Sequence, residues 1–405
     1  MFRTVTMTEA QALPRWRRPA ALLLLMAFAM PLAFSTWSAL LNNFVIEMAG
    51  FTGVEIGWLH SIREVPGLLA ISVILLLLIV GEQALAAMML VLLGASTAVT
   101  AWFPSFQGIL IITLLSSIGF HYYETVNQSL QLQWLEKATA PKMMGRLLAA
   151  GAAASLLAYG AIVLFWKSLG LSYDTVFLAS GGVCALIALF ALLAYPKFRA
   201  DHPQRKRLVL RRRYWLYYAL QFMAGARRQI FVVFAAFMMV EKFGFAVEEI
   251  TALMLVNFLA TMFVAPLIGR AIIRFGEQKA MLVEYAGLFC VFIAYGGLYW
   301  FDWGLWVAAA LYVIDNLFFA MSFSTRSYFQ KIGDPADFAP TAAVAFTINH
   351  IAAVFLPATL GYLWVQAPAT VFGMAAGMAA VSFSLALLVP RHPEAGYETR
   401  LAVLA

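Results

Sequence analysis

The chain alternates between long apolar segments and short connections that contain charged residues, glycine or proline. A hydrocarbon core is crossed by a helix of about 20 apolar residues, or more if the helix is tilted. The pattern therefore predicts an all-α polytopic membrane protein with twelve transmembrane helices. The predicted spans are residues 19–47, 54–80, 84–103, 106–135, 141–167, 173–196, 213–241, 247–274, 279–301, 304–331, 338–364 and 368–390.

Composition supports this class, since 63% of the 405 residues are hydrophobic and only 12% are charged. A soluble domain is about half apolar and a quarter charged. The two cysteines lie in separate apolar segments without neighbouring histidines, so we expect neither a disulfide nor a metal site built on them. Motifs for nucleotide hydrolysis or serine hydrolase chemistry are also missing from the sequence, so we expect no enzyme activity and no cofactor.

The positive charge is concentrated on one side of the predicted topology. Twelve spans put both termini on the same side, and most Lys and Arg residues fall in the tails, the central segment and the loops of that side. The positive-inside rule then places both termini in the cytoplasm. The net charge of +7 thus reflects topology, and we expect no nucleic-acid partner.

The expected location is the inner (plasma) membrane of a bacterium, with the protein working as a monomer in the lipid bilayer.

The two halves of the chain match each other at an offset of 194 to 195 residues. The segment 46–59 aligns with 240–253, Gly81-Glu82-Gln83 aligns with Gly276-Glu277-Gln278, and Pro196 aligns with Pro390. Such a repeat predicts two parallel six-helix bundles with a substrate site where they meet, near the bilayer midplane. The predicted divisions are a tail (1–18), a bundle (19–196), a basic linker (197–212), a second bundle (213–390) and a tail (391–405).

The segment Gly269–Gly276, between the eighth and ninth spans, resembles the G-x-x-x-D-R-x-G loop of the major facilitator superfamily, with Ile273 at the Asp position. The resemblance implies the fold of that superfamily and alternating access. It also implies a gating role for Gly269, Arg274 and Gly276, and a central cavity lined by spans 1, 4, 7 and 10. In the fourth span Leu115 stands where many drug antiporters carry arginine, and the fifth span has no Gly-Pro motif.

Charged residues within the spans are the candidates for function, because a guanidinium at bilayer depth costs about 2.5–3.5 kcal/mol or more. Arg228 shares a helical face with Gln221, whereas Arg227 lies about 100° away. We predict substrate contacts from Arg228, Gln221, Arg63, Tyr122, Asn316, Asn349 and Trp37. We predict proton coupling through Glu124, Asp315, His121 and His350, of which His121 and Glu124 share a helical face.

The expected function is secondary active transport of a small polar organic solute by alternating access, coupled to protons. Because a guanidinium binds carboxylate or phosphate in a bidentate fork, an anionic solute fits. Three intramembrane arginines face three acids, Glu64, Glu124 and Asp315, so a zwitterion or a neutral solute also fits. Instead of contacting a solute, Arg228 could serve the structure alone through a salt bridge to Glu124 or Asp315. An alternative function is a divalent-metal transporter that uses His121, Glu124, Asp315 and His350 as ligands. A multidrug efflux pump is a further alternative function.

Overall fold

The structure is a computed structural model that describes residues 4–135, 140–199, 210–334 and 338–401. Within these ranges a short parallel strand pair joins β1 (Thr4–Thr6) to β2 (Lys197–Arg199). All other regular elements are helical. The α-helices are α1 (Met7–Ala10), α2 (Pro19–Ala49), α3 (Gly53–Leu68), α4 (Val73–Leu77), α5 (Glu82–Val99), α6 (Phe106–Trp134), α7 (Ala140–Phe165), α8 (Tyr173–Ala194), α9 (Trp215–Gln229), α10 (Ala236–Glu241), α11 (Val247–Phe275), α12 (Glu277–Trp300), α13 (Leu305–Ala320), α14 (Phe323–Ile332), α15 (Phe338–Gln366) and α16 (Pro368–Leu387).

Eleven helical stretches of the described chain are long and apolar enough to cross a membrane, which confirms an integral membrane protein. The second predicted span, 54–80, is divided into two helices by a turn. Helix α3 ends at Leu68, and a 3-10 turn at Ala70–Ser72 leads into the short helix α4. Pro66 lies inside α3 and is followed by Gly67, and both residues weaken helical structure in the turn before this break. Most of the predicted linker, residues 200–209, lies outside the described ranges.

The seventh and tenth predicted spans also contain irregular turns. Helix α9 passes into a π-helical segment, Ile230–Ala235, before α10 begins. Helices α13 and α14 are separated by a turn at Met321 and Ser322. π-helical turns such as Ile230–Ala235 are frequent at functional sites. The π segment directly follows the sequence Arg227-Arg228-Gln229, which places an unusual backbone beside the intramembrane charges.

The chain divides into two compact units. Unit 1 contains residues 1–50, 62–205 and 247–251, and unit 2 contains residues 51–61, 206–246 and 252–405. In unit 1, α5 packs closely against α8 through Gly94 and Gly181, where a Cβ atom on Gly94 would lie 2.5 Å from the Ala185 backbone nitrogen. Small residues at such a crossing let helix backbones approach and gain dispersion contacts, which drive helix association in lipid.

Unit 2 is built around α12 with α16 and α9 with α15. The first turns of α3 also belong to this unit and cross α15. A Cβ atom on Gly57 would overlap the Pro357 carbonyl oxygen, and it would lie 3.2 Å from the Cα atom of Gly361. The Ser61 hydroxyl accepts a hydrogen bond of 2.9 Å from the Ala358 backbone N–H. This N–H is free to donate because it lies just after Pro357, where the ring interrupts the helical bonding.

Two matched glycines of the repeat have the same conformation. Gly50 follows α2 with φ of 63°, and Gly244 follows α10 with φ of 65°. Both lie in the left-handed region that glycine adopts without steric penalty, and such a residue commonly ends a helix. The next residue in each copy, Phe51 or Phe245, is buried. The sequence repeat therefore corresponds to a repeated helix ending.

A second matched element is the Glu-Gln pair, which we define as Glu82-Gln83 in unit 1 and Glu277-Gln278 in unit 2. Glu82, the first residue of α5, accepts hydrogen bonds from Ser129 and Gln133 near the end of α6. The Gln83 side chain donates to the Pro196 carbonyl and accepts from the Phe198 backbone N–H, each at 2.9 Å. One dipeptide thus joins the start of α5 to α6, to the residues after α8, and to β2.

The Glu-Gln pair of unit 2 makes equivalent bonds, but to charged partners. Glu277 accepts from the Ser327 hydroxyl and the Lys331 ammonium, each at 2.8 Å, on α14. The two partners are four residues apart in both units. The Gln278 amide donates to the last carbonyls of α16 and accepts a 2.9 Å bond from the Arg400 guanidinium. The C-terminal tail is therefore fixed to the start of α12.

The charge difference between the two pairs predicts unequal effects of one substitution. Glu277→Gln replaces a buried carboxylate that accepts from an ammonium, and hydrogen bonds to charged groups contribute about 1.5–3 kcal/mol. Glu82→Gln also removes a carboxylate, but its partners Ser129 and Gln133 are neutral, so no opposite charge loses its counterpart. We expect a larger fall of the apparent Tm in detergent for Glu277→Gln than for its matched control Glu82→Gln. An equal or larger fall for Glu82→Gln would contradict this assignment.

Candidate functional site

A buried ion pair in unit 1 lies against an aromatic ring. The Arg63 guanidinium donates to the Glu64 carboxylate at 2.6 Å from Nη2 and 3.1 Å from Nε. Its Cζ atom lies 5.6 Å from the centre of the Trp37 ring. The Glu64 side chain is 3% exposed and that of Arg63 16%. Such an arginine can bind an anion only by sharing or exchanging its carboxylate partner.

The same part of unit 1 contains His121 of α6. Its Nδ1 atom is 3.0 Å from the Ser117 hydroxyl, which donates to the Arg63 carbonyl. Phe120 contacts the His121 ring edge-on at 5.1 Å and stacks on Phe34 at 4.6 Å. Phe34 and Trp37 are also stacked, with centroids 6.2 Å apart. We name Phe34, Trp37, Arg63, Glu64, Ser117, Phe120 and His121 the aromatic-arginine cluster.

Two other predicted residues of unit 1 have different surroundings. The Tyr122 hydroxyl hydrogen-bonds to Ser72, in the turn that interrupts the second span, and its ring packs on the hydrophobic core of the unit. Glu124 is half-buried on α6, one turn from His121. The structure thus brings Trp37, Arg63 and His121 into one cluster, whereas the Tyr122 side chain hydrogen-bonds outside that cluster. The sequence analysis did not predict Phe34 and Phe120 as site residues. Phe120 precedes His121 and Phe34 lies three residues before Trp37, so their positions in the sequence could have indicated them.

In unit 2 the fully buried arginine is Arg227, which is 3% exposed, whereas Arg228 is half-buried. The Arg227 Nη2 atom lies 3.9 Å from the Glu284 carboxylate on α12, and its guanidinium carbon lies 4.4 Å from the centre of the Tyr285 ring. Its Nε atom donates to the Met223 carbonyl at 3.2 Å. Helices α9 and α12 are therefore connected by an ionic contact within the membrane-spanning region.

Asp315 of α13 belongs to the same group of charges. It is 1% exposed and interacts with Arg227 and with Tyr295 of α12. The sequence analysis named three intramembrane acids and omitted Glu284, which is a further acid inside a membrane-spanning helix. Glu284 was visible as an acid inside the predicted span 279–301, but its partner Arg227 could be known only from the packing of α9 on α12.

The remaining predicted residues of unit 2 make separate contacts. The Asn349 amide donates to the Gln221 carbonyl at 3.3 Å, which joins α15 to α9. The Asn316 amide donates to the Thr261 hydroxyl at 2.9 Å and the Asn257 carbonyl at 3.3 Å, both on α11. His350 bonds through Nδ1 to the Phe346 carbonyl at 2.8 Å. These polar groups satisfy one another or the backbone between the helices of unit 2.

The predicted gating residues lie at the end of α11. Gly276 has φ of 87° and forms the sharp turn into α12, which explains why glycine stands there. Arg274 is exposed, and its guanidinium lies 5.3 Å from the Phe275 ring. Gly269 is half-buried and would have open space around a Cβ atom. Ile273, at the Asp position of the loop motif, is 88% exposed.

Metal binding has partial support in unit 1. Glu64 and His121 place ligand atoms within 4.8 Å of each other, a spacing that two ligands of one ion would have. The Glu64 carboxylate is however bonded by the Arg63 guanidinium. A cation at this position would meet the repulsion of that fixed positive charge. A metal ion would therefore have to displace the Arg63 guanidinium from the Glu64 carboxylate.

Comparison with known proteins agrees with this arrangement of helices. A structure of a mutant of the nucleoside transporter NupG has a TM-score of 0.74 at 14% identity, covering 91% of this chain and 99% of its own. A bacterial homolog of the human lysosomal transporter Spinster, in an inward-facing and occupied conformation, has a TM-score of 0.68 at 13% identity, covering 91% and 95%. No curated protein sequence matches the chain.

The sequence profile of the Major Facilitator Superfamily matches residues 20–357, which is most of the chain. The similar structures have membrane-transporter folds over nearly their full length. The resemblance inferred from the loop Gly269–Gly276 is thus confirmed across both units. The chain belongs to the major facilitator superfamily of membrane transporters.

Proposed function

We propose that the protein is a secondary active transporter that moves a small polar, anionic or zwitterionic organic solute across the membrane. It works by alternating access between two six-helix repeats, 19–196 and 213–390, and is coupled to protons. The observation that carries this proposal is the aromatic-arginine cluster, in which Arg63 lies over Trp37 inside a membrane-spanning unit. Both termini are cytoplasmic in the inner membrane of a bacterium, and one chain suffices for transport.

The cluster supports a solute that carries both a ring and an anionic group. Phe34, Trp37 and Phe120 present flat apolar faces, and offset stacking on such rings contributes about 0.5–1.5 kcal/mol beyond burial. Arg63 offers donors that match a carboxylate, sulfonate or phosphate. Because Glu64 holds those donors at present, the solute anion takes the place of Glu64 or shares the guanidinium with it.

The second proposed set of solute contacts comes from unit 2 and consists of Arg228 and Gln221 on α9, Asn316 on α13 and Asn349 on α15. Arg228 is half-buried, so its charge is less completely enclosed than that of Arg227. Glu124, His121, Asp315 and His350 are the proposed proton-binding residues. Gly269, Arg274 and Gly276 form the proposed cytoplasmic gate.

The two alternatives have weaker support. A metal transporter would use the Glu64 and His121 ligand atoms, but Arg63 occupies the carboxylate. A multidrug pump for lipophilic cations would meet the same positive charge. The nucleoside transporter among the similar structures suggests a neutral ring solute as a third probe, since the aromatic faces would accept a nucleobase.

Binding to purified protein tests the solute class. The probes are benzenesulfonate as a ring anion, free phenylalanine as a ring zwitterion, uridine as a neutral ring solute, tetraphenylphosphonium and Mn²⁺. A ligand of the native state raises the apparent Tm by mass action. We expect benzenesulfonate or phenylalanine to raise it, and we expect Arg63→Gln to weaken that binding by about 10- to 100-fold.

The controls separate binding from folding. Arg63→Gln alone leaves the buried Glu64 charge without its partner, which destabilises the fold. The double variant Arg63→Gln with Glu64→Gln restores neutrality and should still bind weakly. Arg146→Gln, an exposed arginine of α7, should bind like the native protein, and Arg228→Gln tests the second arginine. Stabilisation by Mn²⁺ or tetraphenylphosphonium alone would overturn the proposed solute class.

We propose that the contact between α3 of the first repeat and α15 of the second repeat opens when the site faces the external side. Gly57→Val introduces atoms that overlap Pro357, and overpacking of this kind costs about 1–3 kcal/mol. The contact should therefore open more often. We expect the thiol introduced by Ser61→Cys to react about tenfold faster, or more, with a membrane-impermeant maleimide in the Gly57→Val background.

This experiment uses protein in which Cys184→Ala and Cys290→Ser remove the native thiols. Gly373→Val on α16 is the matched control, because a Cβ atom at Gly373 has nothing within 4 Å. Unchanged labelling in Gly57→Val, or equal acceleration in Gly373→Val, would show that this contact is not a moving gate.

A further inference from the structure

Glu284 lies inside the membrane-spanning region of unit 2 on α12, seven residues after the helix begins at Glu277. At 1.5 Å per residue this places it about 10 Å along the helix. It is 1% exposed. A carboxylate at this depth must be paired or protonated, since an isolated buried charge costs several kcal/mol.

The groups that face Glu284 come from three helices. Arg227 of α9 lies 3.9 Å away, beyond hydrogen-bond length. Ser324 of α14 is buried, but its hydroxyl makes no hydrogen bond among the described residues, and Tyr285 is the next residue of α12. Among the described residues, the Oε2 atom of Glu284 and the Nη1 atom of Arg227 make no hydrogen bond. One carboxylate oxygen of Glu284 and one guanidinium nitrogen of Arg227 can therefore still form a hydrogen bond.

A second carboxylate, Asp315, interacts with the same guanidinium from α13, and its Oδ2 atom likewise makes no hydrogen bond among the described residues. One buried positive group thus faces two buried acids. If both acids were ionised, the group would carry a net charge of minus one inside a low-dielectric region. One bound proton makes the group neutral.

We propose that Glu284 binds the proton that is coupled to solute movement, with Arg227 as the group it releases on protonation. A proton from water adds to the Glu284 carboxylate and gives a neutral carboxyl. The attraction between Glu284 and Arg227 is then lost, and Arg227 pairs with Asp315. Loss of the proton restores the contact between α9 and α12. This inference rests on the proposed transport function and assigns the proton of this buried group to Glu284 in place of Asp315.

The backbone next to Arg227 is suited to such an exchange. The π-helical segment Ile230–Ala235 begins three residues after Arg227. A π turn holds one residue more than an α turn, and its conversion to α geometry rotates the residues on either side relative to each other. A change of partner by Arg227 would thereby be transmitted along the helix from α9 to α10.

Infrared spectroscopy of the purified full-length protein over a pH series tests the assignment without any solute. A protonated carboxyl in a membrane interior gives a stretching band that disappears on ionisation. We expect the native protein to show such a band that is lost in Glu284→Gln and kept in Glu277→Gln, the matched acid at the start of the same helix. Arg227→Gln should keep the band to more alkaline pH, because the neighbouring positive charge is gone.

Glu284→Asp covers the case in which Glu284→Gln does not fold, since it keeps a carboxyl and should shift the pH at which the band is lost. An unchanged band in a folded Glu284→Gln protein would overturn the proposal, as would a band lost only in Asp315→Asn. Solute flux with an intact band in Glu284→Gln would refute the proton site alone. A Glu284 band without flux of any probe would refute the transport function alone.

Discussion

The arrangement of both units depends on the free energy of a charge inside a lipid bilayer. A single uncompensated guanidinium or carboxylate there costs at least about 2.5–3.5 kcal/mol, so it must be paired, covered by an aromatic face or protonated. Arg63 is paired with Glu64 and covered by Trp37. Arg227 is positioned between Glu284 and the ring of Tyr285. Arg227 is thereby held where a change of partner alters the contact between α9 and α12.

A second constraint, the cost of burying unsatisfied backbone groups, explains the matched Glu-Gln pairs at the helix starts. The first and last turns of a helix have unsatisfied N–H and C=O groups, and a buried helix end requires partners for them. Gln83 and Gln278 bind the chain at or just after the end of the neighbouring helix, while Glu82 and Glu277 bind a second neighbouring helix, α6 or α14. In unit 2 these partners are charged and include the C-terminal tail, so this end of the unit is the more sensitive to salt.

Much of the fold could be predicted from the sequence because transmembrane helices are set by local properties. The number of apolar residues fixes length, and Gly50, Gly244 and Pro66 mark helix ends or breaks through their own backbone restrictions. Trp37, Arg63 and His121 were named as separate candidates, and their grouping comes from the packing of α2, α3 and α6. The π segment after Gln229 could not be predicted, because nothing local to Ile230–Ala235 distinguishes it from an ordinary apolar helix.

The partners of the charged residues could not be predicted for a different reason. Helical spacing gives the face on which a side chain lies but not which neighbouring helix meets that face. Arg227 was therefore assigned away from Arg228 without a partner, and Glu284 was omitted although it lies on the helix that Arg227 contacts. Tertiary packing of α9 on α12 and α13 decides this pairing, and a single sequence carries no record of it.

The most direct test of the central claim is the uptake of a labelled solute into proteoliposomes across an imposed pH gradient. The solute is whichever of benzenesulfonate, phenylalanine and uridine binds the native protein most tightly. The account predicts accumulation above the external concentration that collapses when the gradient is removed, and only equilibration when Glu284→Gln replaces the native chain. Accumulation that is independent of the pH gradient, or unchanged in a folded Glu284→Gln protein, would contradict coupling through the buried charges.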